Sequence, residues 1–211
     1  MAEKKTRKTP GDKFDIFVFD TETTGLDLRA EIIEFGGVLL DGNTLEEKDS
    51  IHTLIAPSAP EVLETVDAKQ ALAMNHLAAR KAEVLAAPSF YEFCQEWIKM
   101  KERHNKQWIP SGYNIGGFDI PKLKFKFHQI RAMMPTFTLG QFFHYHWLDM
   151  MAVYISKNWF ANHSAHVTLK AALKTYGIDN KKAHCAIEDA RATAELVRVI
   201  MKGERDGSAR S

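Results

Sequence analysis

The sequence predicts an α/β domain built on a mixed sheet with helices packed against it. Three observations carry that expectation. Strand-like stretches fill the first quarter of the chain with only turns between them, as in an antiparallel meander. Helical periodicity then takes over and alternates with short apolar strands. The 45% hydrophobic and 26% charged content of the 211 residues suits a soluble globular domain of that size.

Taken in order, Asp15 to Asp20 alternates and is rich in β-formers, which gives a first strand. EIIEFGGVLLD, Glu31 to Asp41, is a second, with a Gly-Gly weak point. Asp41-Gly42-Asn43 turns into a third near Ser50 to Ile55. From Val62 to Val84 the chain is rich in Ala and Leu and is expected to be helical. APSFYEFCQEWIKMKER is an amphipathic helix with Pro88 near its start and Phe90, Phe93, Trp97 and Met100 on one face. Gln107 to Asn114 is a short buried strand, followed by a Gly-Gly break and a helix with Ile120, Leu123, Phe127 and Ile130 facing the core. A short strand around Phe142 to Leu148 precedes a helix from Asp149 to Trp159, and two more helices close the chain. Residues 1–13 and 203–211 are expected to be flexible tails around a domain at 14–202.

Composition narrows the function classes. No apolar run approaches the roughly 20 residues of a membrane helix, and the basic N-terminus lacks the apolar stretch of a secretory signal. Two cysteines, Cys94 and Cys185, make no disulfide framework, so a reducing cytoplasm is the expected setting. With a net charge of +1, any attraction for a polyanion has to be local.

The chemistry-bearing stretches begin with FVFDTETTGLD. Positions i and i+2 of a strand share a side, so Asp20 and Glu22 project together and repel each other unless a cation intervenes. A solvated strand end would also show such a pair. The TTG turn that follows lets backbone approach a ligand closely. Asp119, in GYNIGGFDIPKL, opens a helix and taken alone reads as an ordinary cap. In HCAIEDARATAELV, His184 and Asp189 are five residues apart, roughly 500° of helix. They converge only if His184 lies in the loop before the helix and Asp189 on its second turn. Lys122 and Lys126, behind Asp119, either form a solvated face or attract phosphates. His144 and His146 have no acid or cysteine at ligand spacing, Cys185 is not needed as a nucleophile, and Asp149 reads as a helix cap.

In this order, FDTETTG, YNIGGFD and HCAIEDA resemble the three motifs of the DEDDh group of 3'→5' exonucleases, over about residues 14 to 200. The resemblance implies an RNase H-like α/β fold with a mixed five-stranded sheet and helices on both faces. It implies that Asp20, Glu22, Asp119 and Asp189 bind two divalent ions, Mg²⁺ or Mn²⁺, and that His184 is the general base. Oxygen-only ligation agrees with hard cations rather than zinc, and an imidazole generally titrates near 6.5, where it can take a proton from water. The resemblance further places Thr23, Thr24, Gly25, Leu26, Asn114 and Phe118 on the substrate, with Leu26 and Phe118 packing against or wedging between terminal bases. One departure is Tyr113-Asn114, where the second motif often begins His-Asn.

The implied activity is two-metal hydrolysis releasing nucleoside 5'-monophosphates from a nucleic-acid 3' end, single-stranded or frayed ends being preferred. DTETTG and the long segment between motifs look most like DNA-processing members, so DNA is favoured over RNA. The rival readings are an RNA 3'-end trimming enzyme, a catalytically silent nucleic-acid-binding accessory protein, and a structural protein stapled by a cation. Silence would be expected to show as loss of a motif acid, and none is lost.

Overall fold

The computed structural model describes residues 8–136, 138–159 and 167–205. Five strands form one sheet: β1 (Phe14–Thr23), β2 (Ile32–Leu40), β3 (Glu47–Leu54), β4 (Gln107–Gly112) and β5 (Leu148–Asp149), in the order β3-β2-β1-β4-β5. The first three are the expected antiparallel meander, and β4 and β5 join parallel to β1 and to β4. The expected five-stranded mixed sheet is therefore present, but the last strand, expected around Phe142 to Leu148, is only Leu148–Asp149, with an isolated bridge from Phe143 to Trp108 before it.

Alternation along β1 sends its residues to two different cores. Phe17 and Phe19 point to one face, where an aromatic cluster packs beneath α3 (Phe90–Glu102) and α4 (Asp119–Ile130). Phe17 stacks on Trp108 at 4.8 Å, and Trp97 on Phe142 at 4.3 Å between ring centroids. Helix α3 starts at a Ser89–Glu92 capping box, which satisfies backbone donors at its first turn. Ile16 and Val18 point to the other face, which is covered by α5 (Met150–Asn158), α6 (Leu169–Thr175) and α7 (Ala186–Arg205).

Helix α7 lies directly on the sheet at Gly36. A side chain there would meet the Ile187 amide nitrogen at 2.2 Å, so the close approach requires a residue without Cβ. Gly36 pairs across the ladder with Asp20, and this is where the helix carrying Asp189 meets the strand carrying Asp20. The Gly-Gly expected to weaken β2 is thus the seat of α7.

Other expectations are corrected as well. Strand β1 runs to Thr23, so Glu22 lies within a hydrogen-bonded ladder opposite Glu34 rather than beyond the strand end. The stretch 62–84, expected to be helical, is helical in pieces: a 3-10 turn, α1 (Val66–Met74), a second 3-10 turn and α2 (Lys81–Leu85). The break falls at Asn75 and His76, where His76 adopts a φ of 57°, which a continuing helix does not allow. Part of the expected N-terminal tail is docked: Lys106 holds the Gly11 carbonyl at 2.8 Å, and Thr9 donates to Asn43 at 2.7 Å. At the other end α7 continues to Arg205, three residues past the expected boundary, while residues 1–7 and 206–211 lie outside the described residues.

Candidate active site

The even-numbered side of β1 carries Asp20 and Glu22 toward α7. Asp189, in the first turn of α7 rather than the second, meets them there. His184 precedes the helix with a φ of 66°, as the spacing required, and its backbone N–H donates to Asp189 Oδ2 at 2.9 Å. Asn180 donates to the other oxygen. Ligand atoms of Glu22, His184 and Asp189 lie within 4.8 Å of one another. Asp119 arrives from the first turn of α4 on the opposite side of the strand, where Oδ1 accepts from the Thr21 amide at 3.1 Å and the Thr21 hydroxyl at 2.6 Å. The odd position between the two acids is thus the clamp for the third.

Two of these carboxylates, Asp20 and Glu22, are not balanced by the protein. Among the described residues no hydrogen bond is donated to the Asp20 or Glu22 side chain and no cation pairs with either. Burial first, and then the charges of Asp119, Glu22, Asp189 and Glu34, hold Asp20 well above the usual carboxylate range. Burial together with Asp189, Glu34 and Asp119 pushes Glu22 up to about 8. Burial raises Asp119 to about 7 against the lowering pull of its Thr21 hydrogen bonds. Asp189 is raised by burial, opposed by Asn180 and the His184 amide. Like-charged oxygen donors left unpaired fit hard divalent cations, so the residues present suit the metal ions expected of them.

Beside this cluster lies a cleft of about 400 Å³ between the β1 turn and α1, with Glu22, His184, Leu26 and Phe118 among its walls. Leu26 is 88% exposed, which excludes a core role. Phe118 is half-buried and outside the aromatic core, with the Lys122 ammonium 4.5 Å from its ring centre. Thr23 and Gly25 also line the cleft, but the Thr23 hydroxyl is spent on the Gly25 carbonyl at 2.8 Å. Thr24 is turned inward to accept from the Glu31 amide at 2.9 Å, and neither Thr24 nor Asn114 is on the cleft wall. Asn114, with a φ of 62°, forms the turn before Asp119, its N–H bonded to Asp149 Oδ1 at 3.0 Å.

The phosphate-attracting alternative for Lys122 and Lys126 is overturned. Lys122 is 2% exposed and donates to the carbonyls of Gly25 and Asp27, and buried Lys126 pairs with Glu31. Both tie α4 to the first-motif turn.

Sequence reasoning missed Glu34. It is 1% exposed, lies opposite Glu22, and accepts from Ala186 N–H at the start of α7 at 3.4 Å, with Cys185 Sγ at 3.7 Å. His52 Nε2 is 2.6 Å from its Oε1. A carboxylate at a helix N-terminus is favoured by the exposed amides there. The signal was the second acid of EIIE, but only the strand register turns it into a neighbour of Glu22.

The model of the exonuclease family RNase T matches residues 17–197. The chain belongs to this family. Among curated relatives, Protein NEN1 of Arabidopsis thaliana is 24% identical over 191 residues, 90% of this chain and 36% of its own length. Protein NEN3 of the same plant is 25% identical, over 89% of this chain and 34% of its own. The chain therefore spans about a third of the length of the curated relatives it matches. Among solved structures, Escherichia coli Exonuclease I in complex with a dT13 oligonucleotide superposes with a TM-score of 0.68 at 15% identity, covering 93% of this chain and 43% of that one. A 3'-exonuclease in 3'-end specific recognition of a histone mRNA stem-loop gives 0.63 at 17%, over 90% and 83%. These likenesses carry the fold, and with the family match they bear out the RNase H-like exonuclease assignment read from the three motifs. No described helix is long and apolar enough to cross a membrane.

Proposed function

We propose that this chain is a metal-dependent 3'→5' exonuclease that releases nucleoside 5'-monophosphates from single-stranded or frayed 3' ends, DNA being favoured over RNA. The observation that carries the reading is the convergence of four acids from three separate segments, with no cation among the described residues acting on Asp20 or Glu22 at its centre.

Asp20, Glu22, Asp119 and Asp189 would hold two Mg²⁺ or Mn²⁺ ions. Bound divalent cations supply charge neutralisation and Lewis-acid polarisation of the scissile phosphate. The chain's own residues do the rest. Thr21 fixes Asp119, and Asn180 with the His184 amide fixes Asp189, so these two donors are held before any ion binds. His184, exposed on its loop beside Glu22, takes a proton from the attacking water as the water oxygen bonds to phosphorus. The P–O3' bond breaks and the departing O3' takes a proton from solvent, leaving a shortened strand with a 3' hydroxyl and a free 5'-monophosphate. Leu26 and Phe118 both line the cleft and separate the terminal base from its neighbour, a contact that every base tolerates.

Digestion of end-labelled DNA and RNA oligonucleotides, with and without Mg²⁺ and resolved by length, tests the proposal. A ladder shortening from the 3' end only with the metal is expected. Undiminished digestion in excess chelator would refute the metal assignment, and faster digestion of RNA would reverse the substrate preference.

A further inference from the structure

The outward side of α4 carries a surface that the catalytic residues do not use. Lys124, His128 and Arg131 fall at i, i+4 and i+7, which places them on one helical face, and all three are exposed. Among the described residues none of their side chains is in an ion pair. This contrasts with Lys122 and Lys126 on the same helix, which are buried and fully engaged.

Two adjoining hollows of about 240 and 270 Å³ lie end to end along this face as the two halves of a groove, with Lys124 and Leu139 lining both. Among the described residues, neither hollow has an aspartate or glutamate in its lining. Its other wall carries Tyr145 and Trp147, 76% and 48% exposed. The Tyr145 ring lies against His144 at 4.3 Å and His146 at 3.9 Å. Trp147 rests on Gly116, where a side chain would meet the indole nitrogen at 2.9 Å. Gly116 is three residues before Asp119, so the groove begins beside the turn that delivers Asp119 and Phe118 to the cleft.

We propose that this groove carries the single-stranded polynucleotide upstream of the 3' terminal nucleotides held in the cleft. The proposal rests on the exonuclease reading and adds to it the track of the substrate. Cations without competing acids hold phosphates, and open aromatic faces stack bases without regard to sequence, which is the chemistry of single-strand grooves. From Asp119 to Arg131 the helix rises about 18 Å, enough to engage several phosphates but far beyond the reach of a dinucleotide bound at its 3' end.

The test compares a thymidine dinucleotide with an oligothymidylate of about 15 nucleotides as substrates of the full chain. The double variant Lys124→Glu/Arg131→Glu is expected to raise KM for the long substrate by at least about tenfold and to turn over the dinucleotide within about twofold of the parent. The milder Lys124→Ala/Arg131→Ala should make the log–log salt dependence of oligonucleotide binding shallower by about 1.4, two contacts at roughly 0.7 each for single strands. Tyr145→Ala should weaken the long substrate by at least about fivefold, with no salt effect. Equal losses on both substrates, or no loss on either, would overturn the groove while leaving the exonuclease reading intact. If the parent cleaves neither substrate, the exonuclease reading fails. Fluorescence anisotropy of the labelled oligonucleotide then decides the groove by itself: charge-dependent binding supports it, and binding indifferent to Lys124 and Arg131 overturns it.

Discussion

The two ends of β1 each carry an aspartate, fully buried Asp15 and half-buried Asp20, and the chain neutralises only the first. At the start of the strand, fully buried Asp15 faces Lys48 at 2.8 Å and Lys106 at 3.3 Å, with the Gly42 amide at 3.1 Å. Nearby Asp41 is held down to about 2, chiefly by the Thr44 and Asn43 amides. Five residues along, Asp20 and Glu22 have only other acids around them, and all four acids of the cluster are pushed up despite the hydrogen bonds to Asp119 and Asp189. The same residue type on the same strand is closed by the chain's own cations at one end and left open at the other. Buried carboxylates that a protein balances itself are structural; those it leaves unbalanced are waiting for a ligand.

The largest effect that would sharpen this contrast is on turnover. Asp189→Asn, or chelation of the parent, should take nuclease activity to background, with metal binding by calorimetry lost in the variant. Substitution of Asp15 by Asn should leave turnover near the parent's; if it abolished activity with the fold intact, the division between the two ends would fail.

Next in size is His184→Ala, expected to lower the single-turnover rate by about 10²–10⁴-fold while metal affinity is kept. An unchanged rate between pH 6 and 8 would remove His184 from the chemistry.

Stability should respond with opposite signs at the two ends. Asp15→Asn should destabilise the protein by about 1–3 kcal/mol, toward the low end because both lysines reach solvent. Asp20→Asn should stabilise the metal-free protein by on the order of 1 kcal/mol, by relieving repulsion. Chemical denaturation in chelator measures both, and equal signs would erase the distinction.

The pH response separates the ends again. Glu22 and Asp119 are raised, so their contribution to the metal-free fold is fully present below about 4 and is lost as pH climbs through about 7 to 8. Asp41 is lowered, so its contribution is present above about 4 and is lost as pH falls toward 2. Melting temperature in chelator should therefore decline between pH 5 and 8.5, and excess Mg²⁺ should flatten that decline. A profile insensitive to Mg²⁺ would mean that the four acids are not its ligands.

The smallest effect is at the cleft wall. Leu26→Ala should raise KM for single strands severalfold, within the roughly 1.5 kcal/mol that one leucine contact supplies, without changing metal affinity. Equal rates on blunt duplex and single strand in both proteins would remove the wedge.

Much of this was legible in the sequence because it depends on local order. The three strands of the meander, the apolar faces of α3 and α4, and the acids at Asp20, Glu22, Asp119 and Asp189 all announce themselves by spacing and by the motifs around them. What was not legible depends on partners distant in the chain. Lys122 and Lys126 look like surface charge until the carbonyls of Gly25 and Asp27 and the carboxylate of Glu31 are brought to them from 95 or more residues away. Glu34 becomes part of the site only through its register with Glu22, and Asn180 only through a loop that folds back on α7. The stop at Asn75 and His76 rests on a left-handed backbone that an Ala- and Leu-rich stretch does not foretell.

The absent side chain at Gly36 has a consequence for how this site tolerates change. One hydrogen atom is the spacer between the strand that supplies Asp20 and the helix that supplies Asp189, and a methyl in its place would meet the backbone of Ala186 and Ile187 at 2.2–2.4 Å. Neither partner is a flexible side chain that can step aside, so the helix itself would have to lift, carrying Asp189 away from the other acids. A library randomised at position 36 and selected for nuclease activity should therefore return glycine almost alone, at a position that is neither in the cleft nor able to ionise.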